Sequence, residues 1–131
     1  MELWESLEKQ VRFVVGGRAT PASGAGRIKG DVRTDTLYVE CKQRSNKSGV
    51  EKTIPGDWLD TAQRNTRVNG LVPLIAYRED RGGIPTRIAW FCCRADLAAF
   101  EEVIGRFVRC RADWAEISES SVREFAREEA E

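Results

Sequence analysis

The run Leu37-Tyr38-Val39-Glu40-Cys41-Lys42 constrains the fold of this chain more than any other segment. A strand has a side-chain period of two, so Leu37, Val39 and Cys41 point to one face and Tyr38, Glu40 and Lys42 to the other. Three apolar side chains on one face require a core, which the first and second helices are expected to cover. The opposite face then carries a carboxylate and an ammonium two positions apart. Upstream, Asp31-Val32-Arg33 and the polar Thr34-Asp35-Thr36 predict a hairpin partner. A two-residue loop pairing Arg33 with Thr36 sets Asp31 opposite Tyr38, on the face of Glu40. A three-residue loop shifts that pairing, and both registers remain open at this point.

A chain of 131 residues is long enough for one core and too short for two, so a single domain is expected over 1–131. Leu3, Trp4, Leu7, Val11, Val14 and Val15 recur at helical spacing and predict an amphipathic helix over 2–15. Phe13-Val14-Val15 is β-prone, which leaves an extended last turn open, and Gly16-Gly17 stops the helix. Residues 16–30 hold five glycines and a proline among basic residues, a loop by composition. Residues 43–56 form a second polar loop. Asp57 is a good N-cap for a helix from Trp58 to about Val68, closed by Asn69-Gly70. Leu71–Tyr77 reads as a buried strand whose Pro73 suggests an edge position or a bulge. A turn over Glu79–Pro85 leads to a strand over Thr86–Cys93, and Ala95 or Asp96 opens a helix to about Phe107. An acidic tail over about 113–131 has helical composition from Ser118. The order is helix, hairpin, helix, strand, strand, helix, helix, a mixed central sheet flanked by helices in the α/β class.

Composition removes many chemistries. There is no histidine, which excludes Ser-His-Asp and Cys-His catalysis and zinc hydrolases built on His ligands. Cys41, Cys92, Cys93 and Cys110 lack CxxC spacing, so a zinc cluster is not expected, and they read as reduced, partly buried thiols. Apolar runs such as Ile88–Cys93 fall well short of the roughly 20 residues that span a bilayer. The N-terminal residues show no secretory pattern, and a cytoplasmic location is expected. The tryptophans Trp4, Trp58, Trp90 and Trp114 sit at apolar positions and read as core.

Net charge is zero, but it is divided unevenly. Arg12–Lys52 holds nine basic and four acidic residues, whereas Asp113–Glu131 holds two basic and seven acidic ones. A local basic face attracts phosphates even on a balanced molecule. Arg18, Arg27 and Lys29 in the glycine-rich loop, with Arg44 and Lys47 on the other side, fit a basic arm along a DNA backbone. That loop lacks the GxxxxGK[ST] of a nucleotide site, and no nucleotide cofactor is expected.

Two converging carboxylates, Asp31 and Glu40, suit a hard cation such as Mg²⁺. An adjacent Lys42 would orient an attacking water or neutralise charge on a phosphate in the transition state. An acid-x-Lys triplet alone arises by chance about once in a chain of this composition, so the combination with its surroundings carries the weight.

That combination is Pro21-Ala22-Ser23-Gly24, Gly30-Asp31 and Glu40-Cys41-Lys42 behind a leading helix. It resembles the archaeal-type Holliday-junction resolvases, and more closely their small phage-encoded relatives, within the PD-(D/E)xK or restriction-endonuclease-like superfamily. The likeness covers about residues 3–78. It implies a restriction-endonuclease-like core and metal-dependent DNA hydrolysis, with Mg²⁺ or Mn²⁺ held by Asp31, Glu40 and the backbone carbonyl of Cys41. It implies a catalytic Lys42, with Ser23 at the rim near the scissile phosphate. It also implies a metal-reaching glutamate on the first helix. On a wheel of about 100° per residue, Glu8 lies roughly 80° and Glu5 roughly 140° from the apolar centre, which favours Glu8. Gly30 stands where the family motif usually has proline, and the segment from Glu8 to the PASG loop is shorter than in archaeal members. Symmetric cutting of a four-way junction would require a homodimer, with Ile88–Phe91 and the helix carrying Leu97, Phe100, Val103, Ile104 and Phe107 as interface candidates or plain core. Another PD-(D/E)xK nuclease, of nicking, repair or restriction type, and a non-catalytic nucleic-acid-binding module are the alternatives.

Overall fold

The computed structural model describes residues 6–19, 32–45, 58, 61, 62, 64, 70–100, 103–107 and 114–130. Helix α1 spans Leu7–Val15, later than the expected start at residue 2, because Ser6 caps it: its hydroxyl accepts from the Lys9 amide at 3.2 Å. The helix holds through Phe13-Val14-Val15 and ends at Gly16, whose φ of 74° is the left-handed closure that glycine makes cheaply. Gly17 is required for a different reason. A Cβ there would lie 2.7 Å from the Arg33 carbonyl oxygen, so only glycine lets the chain pass the hairpin.

Among the described residues eight strands follow: β1 (Arg18–Ala19), β2 (Val32–Arg33), β3 (Leu37–Ser45), β4 (Val72–Arg81), β5 (Ile84–Pro85), β6 (Ala89–Cys93), β7 (Val103–Phe107) and β8 (Trp114–Ile117). The sheet order is β1-β2-β3-β4-β6-β8-β7, with β5 folded back on β4. β3 and β4 run parallel and the other pairs antiparallel, so the sheet is mixed, and helix α2 (Glu119–Ala130) completes an α/β fold. A parallel pair needs a long crossover, usually helical. The chain between β3 and β4 supplies it, and Trp58, Thr61, Ala62 and Arg64 within it are helical.

Several expectations are corrected. The hairpin register, left open by the sequence, pairs Arg33 with Tyr38 and Val32 with Val39, two residues away from the Arg33–Thr36 alternative. Thr34 causes the shift: its hydroxyl accepts from the amides of Thr36 and Leu37, and its own amide donates to the Leu37 carbonyl, closing the turn around Asp35-Thr36. Pro73 sits in a central strand, not at an edge. Val72 donates to Thr36 on the β3 side, so the proline nitrogen faces β6, whose pairing begins only at Leu74. β4 continues to Arg81, with the turn at Gly82-Gly83.

The helix expected up to Phe107 is replaced by a 3₁₀ turn over Arg94–Ala99 and the strand β7. Its apolar residues have helical spacing, but they pair with β8, the strand formed from the start of the acidic tail. The tail is therefore structural. Ser118 caps α2 through the Ser121 amide, and Val122 and Phe125 of α2 are buried, Phe125 stacking on Phe100 at 5.0 Å.

Two cores result. Leu7, Val11, Val14, Val15, Leu37, Val39, Cys41, Leu74, Trp90 and Cys92 pack with α2 on one face of the sheet. Ala62, Ile75, Tyr77, Phe91, Cys93 and Trp114, joined by Trp58, form the other. The second helical segment thus covers the face opposite to α1, not the one expected from the Leu37-Val39-Cys41 stripe. Trp90 and Phe91 are each 1 % exposed, so that part of the proposed interface strand is core.

Candidate functional site

The parallel register sets Glu40 beside Ile75, Lys42 beside Tyr77 and Arg44 beside Glu79. These alternate residues share the face that carries the second core. Glu40 is only 5 % exposed, and the Lys42 ammonium stands 3.9 Å from its Oε1. Burying a carboxylate is expensive unless a cation or hydrogen bonds hold it, and the Lys42 pairing offsets part of that cost at the margin of an apolar core.

Beyond it the row stays polar. The Arg44 Nε–H donates to the Tyr77 hydroxyl at 3.0 Å, and that hydroxyl donates to Glu79 Oε2 at 2.8 Å. Glu79, 5 % exposed, also accepts from Arg81 at 2.9 Å. Trp58 lies over the row, its ring centroid 5.3 Å from Lys42 Nζ and 5.0 Å from Arg44 Cζ. Cations over an indole face gain from its quadrupole, most when water is excluded. Burial raises the Tyr77 pKa; the Arg44 bond opposes this and Glu79 adds to it, so the phenol stays protonated and able to donate.

The structure therefore brings Glu40, Lys42 and Arg44 together on one strand face. Cys41 points the other way, its thiol buried against the α1 core. Glu8 lies on α1, which packs on that opposite face, and pairs with Arg12 at 4.0 Å. Arg18 is in β1, its backbone across from Arg33. Asp31, Ser23, Arg27, Lys29 and Lys47 lie outside the described residues, as does the alternative helix residue Glu5. Among the described residues no three Cys, Asp or Glu side chains converge as a metal-binding group.

Trp58, Tyr77 and Glu79 are additions that the sequence reading did not assign to the site. Their only local signal is the alternation of Tyr77 and Glu79 along β4; what joins them to Lys42 and Arg44 is long-range register. Comparison of the chain with protein-family models, with curated proteins and with solved structures finds no match. Among the described residues no helix is long and apolar enough to cross a membrane.

Proposed function

We propose that this chain is a metal-dependent DNA endonuclease of the PD-(D/E)xK type, acting on branched DNA such as a four-way junction. The observation that supports this most is the buried Glu40 carboxylate paired with Lys42 on a central strand, continued by Arg44 into a cationic row. A sheet face that only had to be packed would carry an apolar side chain at the buried Glu40 position. Keeping a charge pair there lowers stability relative to an apolar replacement, a pattern expected where chemistry needs the charges.

A carboxylate is a hard oxygen donor of the kind Mg²⁺ or Mn²⁺ takes, so Glu40 fits such an ion. Asp31 would be its partner ligand: in sequence it precedes Val32, and Val32 pairs with Val39, the residue before Glu40. The Cys41 carbonyl would be a further ligand, whereas Glu8, on α1 across the sheet from the Glu40 side chain and paired with Arg12, is left out of this set. A bound ion supplies a water of lowered pKa and neutralises phosphate charge. Lys42 would stand beside the phosphate, where its ammonium would orient an attacking water and stabilise the charge that grows there. Ser23 would stand at the rim, while Arg18, Arg27, Lys29, Arg44 and Lys47 hold the backbone phosphates. Paired nicks on a junction require two such sites, hence a two-fold dimer.

The test is to incubate the protein with a four-way junction, a linear duplex and single strands, in Mg²⁺ or in EDTA. Symmetric paired nicks on the junction alone, lost in EDTA and in Asp31→Ala, are expected. Cutting of linear duplex would replace the junction reading with a general PD-(D/E)xK nuclease. No cutting of any substrate would leave a nucleic-acid-binding module and sink the enzyme.

A further inference from the structure

Lys42 and Arg44 differ in how they are held. Lys42 is paired with a buried carboxylate, which suits a group that works at a reaction centre. Arg44 is held by a relay that ends away from Glu40. Its Nε is bound by the Tyr77 hydroxyl, its guanidinium carbon lies 5.0 Å from both the Trp58 and the Tyr77 ring centroids, and the hydroxyl is anchored on Glu79. Glu79 is itself fixed at the backbone, since its amide donates to the Thr86 hydroxyl at 3.1 Å and its carbonyl accepts from the Thr86 amide at 2.7 Å. The carboxylate that anchors the relay therefore stands on backbone held by the β4–β5 hairpin and Thr86.

An exposed arginine loses much rotamer entropy when it binds a phosphate, and a stacked, hydrogen-bonded one has lost it already. The planar guanidinium also suits this arrangement as an ammonium does not, because it stacks on the rings while its edge donates. The Tyr77 hydroxyl accepts from a cation and donates to an anion, so it transmits the position of Glu79 to Arg44. Neither job can be done by a phenylalanine, although phenylalanine would fill the same space in the core with Ile75, Phe91 and Trp114.

We propose that Glu79 and Tyr77 are positioning residues that hold Arg44 against Trp58 as a preorganised phosphate-binding cation beside Lys42. The proposal rests on the nuclease reading above, since it takes a nucleic-acid backbone as the ligand. It adds that the affinity for phosphate depends on two residues that need not touch the nucleic acid.

The experiment measures binding of a labelled four-way junction in EDTA over a series of salt concentrations, which separates binding from turnover. Arg44→Gln should weaken binding and lower the salt slope by about one phosphate contact. Tyr77→Phe, with Arg44 still present, should weaken binding about five-fold, the scale of one hydrogen bond. On the Arg44→Gln background the same Tyr77→Phe change should do nothing further. Arg44→Lys, which keeps the charge and changes no buried residue, should resemble Arg44→Gln more than wild type. Full-strength binding by folded Tyr77→Phe, an effect of Tyr77→Phe that persists without Arg44, or wild-type binding by Arg44→Lys would each overturn the relay. Absence of binding by the wild-type chain would overturn the nuclease reading as well, and it appears in a different arm of the experiment.

Discussion

On one face of β3, Leu37, Val39 and Cys41 sink into a core closed by α1 and α2; on the other, Glu40, Lys42 and Arg44 run beside Tyr77 and Glu79 under Trp58. The same strand serves both, one residue apart. The first face is held by area removed from water, which is non-directional and tolerates conservative exchange. The second is held by paired charges and directed hydrogen bonds, where one lost atom leaves its partner buried and unsatisfied. A fold can afford one such face when the other supplies stability without it.

The contrast is sharpest between neighbours. Glu40→Gln should lower cleavage at least about 100-fold, the scale seen when one charge-stabilising group is removed from a transition state. Its melting temperature should stay close to that of wild type, because the amide keeps the shape of the carboxylate and the Lys42 ammonium left behind is partly exposed to water. DNA affinity should change only a few fold. Val39→Ala, one residue away and fully buried, should do the reverse: about 2 kcal/mol of stability lost through transfer and cavity, with residual cleavage per folded molecule intact. Thermal melts and single-turnover cleavage of the two variants settle the matter. Wild-type cleavage by Glu40→Gln refutes the site; a melting temperature depressed as far as that of Val39→Ala makes Glu40 a structural anchor instead.

The β3 stripe was legible because alternation is local and strong, and the Thr34–Leu37 turn because its residues are turn-formers. The register was not, because it turns on one threonine hydroxyl that happens to cap two amides. Helical spacing of Leu97, Phe100, Ile104 and Phe107 pointed to a helix, yet Val103–Phe107 pairs with Trp114–Ile117 in the sheet. Spacing over so short a run does not separate the two periods, and long-range pairing decided. The second helix could be predicted but not the face it covers, since that depends on the crossover between β3 and β4. Tyr77 and Glu79 were unreadable as site residues for the same reason. Nothing within β4 records that Lys42 and Arg44 lie beside it.

Two tryptophans carry the comparison into the cores. Trp90 belongs to the α1 face and its indole N–H donates to Glu119 Oε1 at 3.2 Å. Trp114 belongs to the other face, and among the described residues its buried Nε1 meets no acceptor. Replacing each by phenylalanine removes similar apolar area, so the difference isolates the N–H. Trp90→Phe should be the more destabilising by about 1 kcal/mol, one hydrogen bond lost on one side against a buried donor relieved on the other. Urea melts with a common slope test this. Equal losses would mean that the Trp114 N–H also finds an acceptor in the folded protein.

The smallest effect concerns a charge placed without a cationic row. Asp96, in the 3₁₀ turn whose Leu97 packs on the α1 core, has its pKa raised above the ordinary 3.8 by burial. The folded state therefore favours the protonated acid. Its contribution to stability is fully present below the unfolded value and is lost as pH rises through the folded one. Asp96→Asn should accordingly stabilise the protein slightly at neutral pH and not at all below the unfolded value, where the wild-type acid is neutral in both states. Water screens a half-buried group, so the gain is smaller than the tryptophan difference. A pH series of melting temperatures for the two proteins gives the answer. Curves that converge in acid and separate on rising pH show that Asp96, unlike Glu40, has no arrangement that holds its carboxylate; parallel curves, or a gain confined to acid, would show that it does.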